Sequence, residues 1–573
     1  MTKKLSLFIT SCLFIASPYV LAETELSIEG LDGPLLSNVE AYTSNIPEED
    51  YSTSLRFQSR LEENVINALK ALGYYEPVVT FSIDGEADDN ELIMTVKPGK
   101  PVYIYLSDIV VTGDAKKDID FIAAIEKSGL NLGEVIDHGK YASLKATLQN
   151  LALRKGYFDG EFVTSRLEVA PGRRQAMIRL HYNSGNRYHF GVTTINGSQI
   201  EEVRVRAIIP FKKGDPYLAS QVGLLNQSLS NTEWFSSVYV EPDLDAIGST
   251  QLLPMTVHLS PQVRNQLETS LGYATDVGVR GKVRWKKPWL NDAGHSLDTA
   301  LQVSKPEQEA TVSYKIPLKQ VLNDYYIVKY GLKNIDNRNT DSLESNLAFE
   351  RHWIFDSGWH RTIYTRFLYE EFTQGIQDGT AFLVLPGVSF AKSRSRGGTM
   401  PMWGDKKSFT IEATDQSLSS DARLLRVQAQ GAIVRSLGQN HRGVARSDMG
   451  AMYTDNFYKL PPSIRFFAGG DNSIRGYGYE EISPKDESGF LTGGQYMATA
   501  SLEYQYRVVG NWWIATFVDY GDSWISTPDW KRGAGIGVRW ASPVGPVRLD
   551  FAWGFDANPG DEFKVHFTLG PEV

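Results

Sequence analysis

The spacing of apolar and polar residues changes near Asn265, and the two halves of the chain predict different structures. In the first half, residues 141–155 place Leu144, Leu148 and Leu151 at helical intervals, and Gly156 is suited to stop that helix. Residues 161–170 and 175–182 then alternate as two strands about the turn Pro171-Gly172-Arg173. The same succession occurs upstream, with a helix around 61–72, a stop at Gly73, and strands near 77–83 and 91–96. It recurs less regularly downstream, with a helix around 219–230 and strands near 237–242 and 251–259. Two markers keep time with it. Ile28-Glu29-Gly30, Val111-Thr112-Gly113 and Ile195-Asn196-Gly197 put their glycines 83 and 84 residues apart. Tyr74-Tyr75, Tyr157-Phe158 and Trp234-Phe235 follow at 83 and then 77. A fixed internal period means serial domains. The expectation is three α/β modules, at 23–105, 106–188 and 189–265, each a strand, helices and a hairpin.

From 266 to 573 helical spacing gives way to strand-like runs broken by Gly, Asn, Asp, Pro and Ser. Their two faces differ. Leu502, Tyr504, Tyr506 and Val508 oppose Ser501, Glu503, Gln505 and Arg507; Trp512, Ile514, Thr516, Val518 and Tyr520 oppose Trp513, Ala515, Phe517 and Asp519. Ala534, Ile536, Val538 and Trp540 oppose Gly533, Gly535, Gly537 and Arg539, and Phe563, Val565, Phe567 and Leu569 oppose Lys564, His566 and Thr568. Apolar outer faces with Trp and Tyr near strand ends, and inner faces rich in glycine or charge, predict a transmembrane antiparallel β-barrel. Counting from 266–275 to 561–569 gives sixteen strands. Ser463 to Ala468 could be a seventeenth; an even count assigns it instead to a long loop, 454–494. Closure matters because an open sheet edge in hydrocarbon leaves backbone groups unpaired.

Composition narrows the setting. Lys3 and Lys4 precede a nearly uncharged stretch ending Val20-Leu21-Ala22, which reads as an export signal over 1–22. Its removal would take away Cys12, the single cysteine. No later run of about 18 apolar residues offers a membrane helix. A net charge of −10 gives no reason to expect nucleic acid as a partner. Nine scattered histidines, without metal-ligand spacing, a nucleophile elbow or a P-loop, suggest no enzyme, no metal and no cofactor. His352 and His360 read as surface residues beside a hairpin turn, and Asp324 and Asp341 as solvated loop carboxylates.

The long loop carries Gly469-Gly470-Asp471-Asn472-Ser473-Ile474-Arg475-Gly476-Tyr477. An arginine folded into a wet lumen would seek a carboxylate, and Glu503 and Asp519 lie on the inward faces of the next two strands. The alternative, a solvated Arg475 above a merely polar wall, is equally compatible with the spacing.

Ile474-Arg475-Gly476-Tyr477 resembles the sixth-loop motif of the Omp85 superfamily of outer-membrane assembly and secretion proteins, as do the surroundings of Glu503, Asp519 and 537–546. The three modules resemble that family's POTRA domains. Three before sixteen strands is similar to its TamA-like branch. The resemblance implies POTRA domains in the periplasm and Arg475 locking the loop against Asp519 and Glu503. It also implies a lateral gate between first and last strands, through which barrel clients such as autotransporters enter the lipid bilayer. A TamB-like partner anchored in the inner membrane would dock on the modules. A two-partner-type secretion pore or passive channel is the alternative. Pro571 should end pairing of the last strand.

Overall fold

The computed structural model describes residues 24–86, 89–243, 250–275, 278–337, 339–398, 400–543 and 545–569. The expected export signal and Pro571 lie outside the described residues. Among those residues no helix is long and apolar enough to cross a membrane. The chain divides into two compact units. One runs to Val192 and includes 211–221 and 243–254; the other comprises 193–210, 222–242 and 255 onward.

Three small sheets precede the barrel, each with its last strand in the middle. The first contains Glu25–Glu29, Val78–Glu86 and Asp89–Lys97; the second Tyr103–Thr112, Glu161–Ala170 and Gln175–Asn183; the third His189–Asn196, Phe235–Pro242 and Leu252–Pro261. The central position explains the alternation of each last strand. Leu92, Met94 and Val96, then Ala176, Ile178, Leu180 and Tyr182, then Leu253, Met255, Val257 and Leu259 are all buried. The repeated glycines have a shared cause: Gly30, Gly113 and Gly197 end the first strand of their modules at φ near +80°, open to glycine at little cost.

Helix Leu55–Ala71 starts six residues earlier than its apolar spacing suggests, at Ser54, whose hydroxyl accepts the Phe57 amide. Helix His138–Lys155 starts at Asp137, whose carboxylate accepts the Lys140 amide. Capping is a polar signal, and apolar periodicity does not register it. In the second module the recurring aromatic Tyr157 packs edge-on against Phe121, and its hydroxyl donates to Asp118.

The second unit contains a sixteen-stranded antiparallel barrel in sequence order. It begins Gln266–Ala274 and Gly278–Lys287 and ends Tyr496–Val509, Trp512–Trp524, Lys531–Ser542, Gly545–Gly554 and Phe563–Leu569. Outward Leu502, Tyr504, Tyr506, Ile514, Val518 and Tyr520 are exposed, while inward Ser501, Glu503, Gln505, Phe517 and Asp519 are buried. The eighth strand, Gln377–Arg396, continues past its expected end at 391. Its extension pairs with the start of the ninth, where Arg394, Arg396 and Arg435 gather over the Trp403 ring at 4.7–5.3 Å. Those cation–π contacts and the Arg394–Asp405 ion pair hold together a serine- and arginine-rich stretch that reads locally as loop. Ser463 to Ala468 makes no barrel strand; Pro462–Ile464 is a single 3₁₀ turn and Phe466 only bridges Gly494. Thr454 still pairs with Leu424, so the long connection runs 455–495.

Closure is uneven. The first strand pairs with the second from Gln266↔Lys286 to Ala274↔Gly278, and the last with the fifteenth from Val547↔Leu569 to Trp553↔Phe563. Between first and last strands, the ladder among described residues is Ala274↔Thr568. Beside it, the Thr275 amide donates to Phe567 O at 3.2 Å and the Phe567 amide to Thr275 Oγ1 at 2.5 Å.

Candidate functional site: the loop–wall ion-pair cluster

The long connection carries its own apolar core into the barrel. Phe457, Leu460, Ile464, Phe466, Ala468, Ile474, Tyr477 and Ile482 pack with the inward Leu368, Leu383, Leu385, Leu424, Met452 and Met497. This burial brings Arg475 against the wall. A tight turn sets its direction: the Ser473 amide donates to Gly470 O, and the Gly470 amide to Ile474 O.

Arg475 is fully buried. Its Nε and Nη2 donate to the two Asp519 oxygens at 2.8 and 3.0 Å, and its backbone amide adds a third bond to Asp519 at 3.0 Å. Nη1 donates to Glu503 Oε2 at 2.6 Å and to Asp550 Oδ2 at 3.3 Å, and Nη2 to Ser501 Oγ at 3.2 Å. The guanidinium carbon sits 3.4 Å from the centroid of the Phe517 ring. A planar fork can satisfy this set; an ammonium cannot address two oxygens of Asp519 and Glu503 together. Thus Arg475, Glu503 and Asp519, singled out from the sequence, are in direct contact.

Other members were missed. Arg539 bridges Glu503 Oε1 at 2.8 Å and Asp550 Oδ1 at 2.6 Å, so two guanidinium groups share three carboxylates. The period-2 parity of the fourteenth strand already pointed Arg539 inward, and the same reading of Gly545–Gly554 would have pointed Asp550 inward. Gln505 donates to Glu503 Oε1 at 2.6 Å. The other motif residues fill fixed roles: Ile474 is buried in the loop core, and Tyr477 donates from its hydroxyl to Arg532 O and accepts the Asp556 amide. Gly476 has φ +93°, and a Cβ there would lie 2.5 Å from Gly554 N. A Cβ on Gly533 would meet Arg475 O at 2.1 Å, so glycine on the inner face of the fourteenth strand leaves room for the turn.

His352 corrects the surface reading: it is 8% exposed, hydrogen-bonds His360 and Glu350, and stacks on Tyr325. Asp324 likewise lies in a strand, paired with Arg351, because the fifth strand starts one residue before its expected first position. Among the described residues no group of three His, Cys, Asp or Glu could hold a metal ion.

Residues 264–572 match the Omp85 superfamily domain, and residues 25–98 match POTRA domain TamA domain 1. The outer membrane protein assembly factor BamA of Nitratidesulfovibrio vulgaris is 24% identical over 383 residues, covering 62% of this chain and 48% of that protein. The chloroplastic outer envelope protein 80 of Arabidopsis thaliana is 32% identical over 125 residues, 20% of this chain and 15% of that one. This chain therefore spans about half, or less, of the length of these curated relatives. The crystal structure of BamA from Haemophilus ducreyi lacking POTRA domains 1–3 superposes with a TM-score of 0.67 at 15% identity, over 82% of this chain and 99% of that one. With the family domain spanning the whole barrel, the chain belongs to the Omp85 superfamily.

Proposed function

We propose that the protein is an outer-membrane assembly factor of the TamA-like branch, which inserts β-barrel clients such as autotransporters into the bilayer through its seam. The short ladder between first and last strands among the described residues carries this reading. Both strands are fully paired on their other sides, yet among the described residues their backbones meet each other only near Ala274, Thr275, Phe567 and Thr568. Among the described residues the rest of the Gln266–Ala274 edge has no ladder partner on the seam side, and such an edge is a template for β-augmentation, in which a client strand forms ladder bonds in place of those it leaves. Outward Leu267, Leu271 and Tyr273 on that strand are well exposed and suit hydrocarbon. No covalent step is needed.

In this reading the barrel lies in the outer membrane, and the modules at 23–105, 106–188 and 189–265 are periplasmic POTRA domains. The TamA-type match at 25–98 supports the branch and, with it, a TamB-like partner on the modules. Arg475, with Ile474, Gly476 and Tyr477, locks the loop on Glu503 and Asp519. The loop core inside the barrel argues against an open passive channel; a two-partner-type secretion pore stays the alternative, and single-channel conductance is the discriminating measurement. The test is a disulfide between cysteines at Ala274 and Thr568. Oxidation is expected to stop client insertion and reduction to restore it; insertion that continues with the seam cross-linked overturns the mechanism.

A further inference from the structure

Besides the Arg475 cluster, the loop makes a second buried attachment, to the strand that bounds the seam. Asp471 Oδ1 lies 2.5 Å from His566 Nδ1, and Asp471 Oδ2 accepts from Thr568 Oγ1 at 3.2 Å. On the other side of the imidazole, the Gly476 amide donates to His566 Nε2 at 3.0 Å. A backbone N–H can only donate, so Nε2 carries the lone pair and Nδ1 carries the proton given to Asp471. Asp471 and His566 are both buried.

Asp471 and Gly476 flank the turn that presents Arg475. One turn is therefore fastened to the twelfth, thirteenth and fifteenth strands through Arg475, and to the sixteenth through His566 and Thr568. Among the described residues the sixteenth strand's seam-side ladder is the single pair Ala274↔Thr568, which restrains it little.

We infer that His566 is a positioning residue that couples the locked loop to the seam: the last strand cannot swing from the inner wall while Asp471, His566 and Gly476 remain joined. Undocking the turn frees the strand, and displacing the strand loosens the turn. This rests on the proposed gate, but its test is made without client, so the two can fail separately.

The test is hydrogen exchange on the full-length protein in detergent, followed at 471–476 and 563–569, with heat-modifiable migration showing that each variant barrel is folded. Asp471→Ala is expected to speed exchange across 563–569 about tenfold, and His566→Ala to speed exchange at 471–476 by a similar factor. The double variant should add less than about twofold to either single change, because both remove one connection. His566→Gln can offer a side-chain oxygen to the Gly476 amide and should recover protection of the turn. Asp471→Ala alone decides the matter if the His566 variants do not fold: unchanged exchange at 563–569 overturns the inference. So do fold-changes that multiply in the double variant, or a His566→Gln variant no better protected than His566→Ala.

Discussion

Replacing Arg475 with alanine tests whether the loop is held by its charge cluster or only by its apolar core. The substitution removes two side-chain bonds to Asp519 and one each to Glu503, Asp550 and Ser501. Arg539 remains on Glu503 and Asp550, so these keep a partner. Asp519 does not: its remaining bond is the amide of residue 475, and its carboxylate stays buried. Breaking a buried pair on one side costs about 3–5 kcal/mol. Dispersed over docking of the loop, the lower figure already raises the undocked population by roughly 100-fold. Limited proteolysis of the folded protein reads this directly, because cleavage within 455–495 tracks the undocked population when reclosing is fast. Arg475→Lys keeps the charge without the fork and should fall between, with a rise of about tenfold. Client insertion should fall in the same order. If Arg475→Ala were cleaved within about threefold of the unaltered protein, the reasoning from buried charge would be wrong and the apolar core alone would hold the loop.

Two further outcomes follow from the geometry. Gly533→Val leaves every charged group in place but drives a Cβ into Arg475 O, so it should release the loop to proteolysis as strongly as Arg475→Ala does; normal protection would show that the turn can shift without loss. In the second module, burial by itself would raise the Asp118 carboxyl, but hydrogen bonds from Lys155, the Asp120 amide and Tyr157, with the Lys155 charge, hold it below the ordinary carboxylate range. Its contribution to stability is thus present above the unfolded-state value and lost as pH falls through the lowered folded value. Hydrogen exchange over 106–188 should accelerate below about pH 4, and Asp118→Asn should show the faster exchange already at neutral pH with a flatter acid response.

Much of the architecture was legible because strands and helices repeat on short periods. Alternation in 501–508, 511–520 and 533–540 assigned faces that the barrel keeps, down to Glu503 and Asp519 on the inside. The recurring glycines marked modules because the same positive-φ strand end recurs in each. Local signals failed where the stabilising partner is distant. Arg394 and Arg396 look like loop until Trp403 and Arg435 are brought beside them. His352 looks like a turn residue until Tyr325, its direct register partner on the neighbouring fifth strand and outside its own hairpin, closes over it.

The amino-acid sequence by itself determined the periodicities, hence which elements form and which way each side chain faces, since those depend only on residues a few positions apart. Tertiary structure alone decided which inward groups meet. Arg475 reaches Asp550 across 75 positions and the loop reaches His566 across 90 or more, because barrel closure lays the last strands beside a loop from the eleventh. It also decided that, among the described residues, first and last strands pair at Ala274 and Thr568, a property of how two strand ends meet that neither strand's own pattern contains.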